Sequence, residues 1–201
     1  MRILKRLYFR DAKSRLLSQA FNEAVKEMDV PLPFEYMEFH VGYSRSEIED
    51  SRASFGLQVD SAMLADADWR IAKTLIKFEL YRLFVRNLVT RKLPSLVEDV
   101  MTAREMIRRG HADDLVYLFY VYMARHRVHD YMSFVRFNTP WLIFYGCDGF
   151  YNDLFYQLAQ TRRRYSYERR AKPLFSALCR DLTDFDNLKA ALEAYEHTKY
   201  E

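Results

Sequence analysis

The sequence predicts an α+β fold that is mostly helical, with a two- to three-stranded N-terminal sheet packed on a central buried helix, followed by a helical C-terminal half. Three observations carry this expectation. Ala53, Phe55, Leu57 and Val59 alternate with Ser54, Gly56 and Gln58, the period-two pattern of a strand with one buried face. Residues 66–89 carry apolar side chains almost all the way round, as a helix covered by its own protein does. Only five Gly and five Pro occur in 201 residues, which favours long elements joined by short connections. The length suits one domain, read as a core over 1–110 with a helical extension over 111–201.

Along the chain, Leu16, Leu17, Ala20, Phe21, Ala24, Val25 and Met28 fall at helical spacing within 11–28, and Asp29, Pro31 and Pro33 stop that helix. Residues 34–41 are a second, weaker strand candidate, and the polar 44–51 stretch reads as a hairpin connection or an exposed loop. After the central helix, Ser95 and Glu98 form a capping-box pattern that opens a helix, and Arg108, Arg109 and Gly110 close it. Further helices are predicted over 113–127, 148–164, 171–181 and 184–197. Pro140 and the Gly146 to Gly149 turn punctuate this half.

Composition narrows the function classes. The longest apolar run, Leu115 to Ala124, is half the roughly 20 residues that a membrane-spanning helix needs, so no membrane partner is expected. The basic start, Met1 to Leu7, has no apolar region after it, and a cytoplasmic location follows as the expectation. Cys147 and Cys179 are isolated and read as ordinary buried thiols. The net charge of +3 gives the whole chain no strong field, so nucleic-acid binding would need a local patch. Abundant Tyr, Phe and Arg with few Asn and Gln suggests a thermophilic source.

The stretch Ser54 to Asp60, and then Ile71 to Phe84 with Phe78-Glu79-Leu80-Tyr81-Arg82 at its heart, resembles the strand and active-site helix of small archaeal zincins, a family of zinc metallopeptidases. The resemblance covers roughly residues 34–125. It implies a zincin-like core in which a His-Glu-x-x-His motif would place two zinc ligands and a general base on one helix face. At those positions this chain has Phe78, Glu79 and Arg82, so only the glutamate matches. The acidic third ligand of the family would fall at Glu98 or Asp99. Phe has no lone pair to donate and Arg brings a positive charge, so no metal and no cofactor is expected.

Read without the family, Glu79, Arg82 and Arg86 lie within about 60° on one helical face between apolar neighbours. This predicts an internal ion pair, or a small cationic pocket in which Arg82 and Arg86 hold an anion. His126 and His129 read as surface residues near a helix end, and with His40, His111 and His197 they form no metal set by proximity. The densest basic run holds Arg162, Arg163, Arg164, Arg169, Arg170 and Lys172 against Glu168, a local charge of +5, with Tyr165 and Tyr167 available to stack on bases. An aromatic patch around Tyr117, Tyr120, Phe150 and Tyr151 suits self-association or an unknown protein partner. Three functions follow: a non-catalytic metallopeptidase relative serving as an interaction or scaffold protein, a nucleic-acid-binding module using 162–172, and an enzyme with an unfamiliar site at Glu79.

Overall fold

A computed structural model describes the backbone of residues 2–5, 12–30, 36–41, 47–49, 52–57, 69–89 and 92–200, and the side chains of 15–30, 69–89 and 92–198. The chain divides into two compact units, Met1–Thr90 and Arg91–Glu201. The helix that the sequence reading groups with the first 110 residues therefore belongs to the second unit.

The expected α+β class is corrected to a helical one. Eight helices are present among the described residues, and every described buried side chain lies in them or in the turns beside them. In the first unit these are α1 (Ala12–Glu27) and α2 (Trp69–Leu88). Leu17, Ala20, Phe21 and Ala24 of α1 close on Ala72, Ile76, Leu80 and Leu83 of α2. The i, i+3 and i+4 spacing puts each set on one face, and three alanines let the two helices approach closely. The packing partner of the central helix in the described core is thus another helix.

Among the described residues, extended structure consists of the backbone pairing of four short segments, β1 (Arg2–Lys5), β2 (Tyr36–Val41), β3 (Glu47–Glu49) and β4 (Arg52–Leu57), in the order β1-β2-β4-β3. The β1–β2 and β2–β4 pairs are parallel, with Phe39 opposite Phe55, and only β3–β4 is antiparallel. A single hairpin spanning 34–59 cannot produce that pattern, because parallel neighbours need a crossover. Residues 58–68, where the sequence reading ends the strand and starts the central helix, lie outside the described residues, as do 42–46 and 50–51 of the polar connection.

The second unit consists of α3 (Ser95–Arg108), α4 (Ala112–Arg125), α5 (Tyr131–Phe144), α6 (Gly149–Gln160), α7 (Tyr165–Leu178) and α8 (Phe185–Tyr200). The predicted stop at Gly110 is present as a full Schellman turn. Gly110 takes φ +83°, its N–H donates to Ile107 O, and the His111 N–H donates to Met106 O. The predicted capping box at Ser95 and Glu98 is corrected: Pro94 occupies the N-cap position with no side-chain cap bond, which places Ser95 one residue inside the helix. Asp148 caps α6 by accepting from Tyr151 N, and Asp184 accepts from Asn187 N at the start of α8.

The sequence reading has no helix over Tyr131–Phe144, yet α5 supplies Phe134, Val135, Phe137, Leu142, Ile143 and Phe144 to the core. It opens on a capping box between Asp130 and Ser133 and continues through Pro140. In the turn before that proline, Asn138 donates to Phe134 O at 2.8 Å and Thr139 to Val135 O at 3.2 Å, which satisfies both buried polar side chains within the helix. Around it, Phe144 stacks on Phe155 of α6 and Phe134 on Phe175 of α7.

Candidate nucleic-acid interface

The zincin-type positions occupy the middle of α2. Phe78 is buried, the Arg82 guanidinium sits 5.1 Å from its ring centre, and Arg82 donates to the Glu79 carboxylate one turn back. Glu79 and Arg82 side chains are 17% and 19% exposed, so the pair is largely enclosed. Arg86, one turn further on, is half-buried. Glu98, buried in the first turn of α3, and Asp99 beside it belong to the second unit. Among the described residues no three His, Cys, Asp or Glu side chains are grouped so as to hold a metal ion.

The same helix carries a charged group that sequence reasoning missed. Lys73 and Lys77 both reach Glu27 at the end of α1, at 2.7 and 2.5 Å. Burial alone would raise the Glu27 carboxyl, and the hydrogen bonds from Lys73 and Lys77 outweigh it, holding the group below its ordinary value. The sequence separation of 46 between Glu27 and Lys73 leaves no local signal for this pairing.

The basic run of the second unit spans the irregular 161–164 turn and the start of α7. Arg162, Arg163 and Arg164 line an open cleft of about 770 Å³ together with Arg127, Val128 and Thr161. Arg164 donates to Val128 O at 3.1 Å, tying one wall of the cleft to the other. Arg163 binds Glu168 at 2.8 Å, which raises the guanidinium above its ordinary value. No ion pair to Arg127 or Arg162 is present among the described residues. Arg127 was not a sequence candidate, because only the fold brings the segment after α4 to the turn after α6.

The rest of the run divides by direction. Arg170 is half-buried, 4.0 Å above the Tyr131 ring, and donates to Thr198 O, so it braces α7 against α8. Tyr167 is half-buried, with its ring against Tyr131 and Phe134, so it is less open to a ligand than Tyr165. Tyr165 is 73% exposed. Together with Arg169, Lys172, Phe175, Trp141 and Tyr145 it lines a second open groove of about 740 Å³.

The remaining candidates separate as well. His126 is half-buried rather than on the open surface: it lies between the Tyr122 and Phe137 rings, its Nε2 is 3.2 Å from Ser133 O, and burial lowers its affinity for a proton. His129 is exposed, 3.4 Å from Asp130. Cys147 is an exposed free thiol, a correction to the expectation of burial, whereas Cys179 is half-buried and burial pushes it up to about 11. In the aromatic patch Tyr120 and Phe150 are exposed, and the Tyr151 hydroxyl is committed to Asp113 at 2.6 Å. No helix among the described residues is long and apolar enough to cross a membrane. No protein-family model, curated protein or solved structure matches the chain.

Proposed function

We propose that the C-terminal helical unit binds nucleic acid through the arginine cleft. The observation that carries this reading is the convergence of Arg127, Arg162, Arg163 and Arg164 on one cleft whose lining includes no carboxylate. Guanidinium groups present planar forks of donors suited to phosphate oxygens, and clustered cations gain further from releasing the counterions of a polyanion. Fluorescence anisotropy with a labelled oligonucleotide over a salt series tests it. Binding should weaken steeply with salt, and Arg127→Ala with Arg162→Ala should flatten the log–log slope by about 0.7 to 0.9 for each phosphate that is no longer neutralised. Equal affinity and slope for wild type and the double variant would remove the proposal.

A second reading concerns α2 alone. We propose that the Glu79 position is non-catalytic and that the chain acts as an interaction or scaffold protein; the pairing of Glu79 with Arg82, both largely enclosed, supports it. Stoichiometric zinc found in purified protein by elemental analysis would overturn this reading.

A further inference from the structure

We infer that the groove beside the arginine cleft stacks unpaired bases, so that the ligand is a single-stranded nucleic acid whose phosphates run through the cleft. This inference rests on the nucleic-acid reading of the cleft and narrows it to one strand form. The two concavities meet at one point: Arg163, a wall of the cleft, places its guanidinium 4.4 Å from the ring centre of Tyr165, a wall of the groove. Tyr165 and Tyr145 are 73% and 48% exposed, leaving aromatic surface open to solvent. Exposed Arg169 and Lys172 continue the positive charge along the groove. Its one carboxylate, Glu168, accepts from Arg163 Nε with both oxygens, at 2.8 and 3.0 Å, and is thereby largely neutralised.

The combination selects among polyanions. In a duplex the base faces are hidden against each other, so an exposed tyrosine gains nothing from it; in a single strand each base offers a face for stacking. An acidic peptide would satisfy the arginines but has no comparable use for the open rings. A strand threaded from cleft to groove would use both sets of side chains at once.

The experiment compares a labelled oligothymidylate, a duplex of equal length and vesicles containing phosphatidylserine, against wild type, Tyr165→Ala, Tyr165→Phe and Arg162→Ala. Wild type should prefer the oligothymidylate. Tyr165→Ala should weaken that binding by about tenfold, within the range found for base–aromatic stacking, with the salt slope unchanged. Tyr165→Phe should retain affinity, and Arg162→Ala should lower the slope for both nucleic acids. Because Tyr165 is mostly exposed, its variants should melt with the wild type, and a thermal scan checks this. If Tyr165→Ala binds the oligothymidylate like wild type while Arg162→Ala still weakens it, the stacking inference fails and the cleft reading survives. Binding to vesicles alone, or to neither nucleic acid, overturns both.

Discussion

Lys77, 1% exposed on α2, ends 2.5 Å from the carboxylate of Glu27 on α1. A nearly enclosed ammonium held by a partner that is itself 40% exposed concentrates the cost of any change on the partner. Glu27→Gln should destabilise the protein by about 1 to 3 kcal/mol, the lower end reflecting solvent screening around Glu27. Lys77→Met, of similar volume, should cost less than Glu27→Gln, because it removes the buried charge along with its need for a partner. Urea unfolding midpoints for the two variants check the order; the reverse order would show that the pair is a net source of stability.

Arg104 of α3 is 8% exposed and donates to three carbonyls: Ile143 O at 3.2 Å, Leu142 O at 2.7 Å and Arg180 O at 2.7 Å. Burial lowers its proton affinity, with the Cys147 and Cys179 thiols acting in the opposite direction. Arg104→Met should cost about 3 kcal/mol or more, since the acceptors lose their donor inside the core. Arg104→Lys should recover little of this, because one ammonium cannot reproduce the fork. Differential scanning calorimetry reads the loss directly.

Gly110 takes φ +83°, and a Cβ built there meets nothing within 4 Å. The penalty for a side chain is therefore conformational and not steric crowding by neighbours. Gly110→Ala should destabilise by about 1 kcal/mol, and Gly110→Asn by less, because Asn tolerates the left-handed region. A denaturation series over the three proteins distinguishes this from a packing effect, which would make the larger Asn worse than Ala.

His126 binds its proton less tightly in the folded chain than its ordinary value of 6.5, mainly because it is partly buried between aromatic rings. The unfolded chain therefore takes up more protons as acidity rises. The stability contributed by the neutral ring is complete above 6.5 and declines as pH falls through 6.5 toward the lowered folded value. Melting temperatures from about pH 8 to about pH 5 should fall in wild type and fall less in His126→Phe, which keeps the stack without the titration. Parallel curves for the two proteins would exclude His126 as the source.

What was legible in the sequence was the information that is local. The turn at Gly110 is written within a few residues, and the structure has it, whereas the equally local Ser95 and Glu98 pattern misleads because Pro94 takes the N-cap position. The α5 helix is hidden in the sequence because Pro140 reads as a helix breaker, yet the helix runs through it with Phe134, Val135, Phe137, Leu142, Ile143 and Phe144 buried on its core side. The alternation at 53–57 does mark an extended segment, β4, but the helical class rests on the pairing of α1 with α2, which joins distant segments and leaves no local signal. The cleft was half visible: Arg162 to Arg164 are a run in sequence, but Arg127 joins them only through tertiary structure. Tyr165 and Tyr167, two residues apart, look equivalent in sequence, and only packing shows one open to solvent and the other half-buried against Tyr131 and Phe134.

The three bonds of Arg104 fasten the end of α5 to the segment just after α7. Trp141 and Tyr145 flank the first of these anchor points, and Arg180, which is the second, lines the groove with Phe175, so one guanidinium ties both banks of the aromatic groove together. On the proposed reading, a strand entering that groove would meet a receptor already braced, and the loss of freedom on association would fall on the flexible ligand and not on the protein.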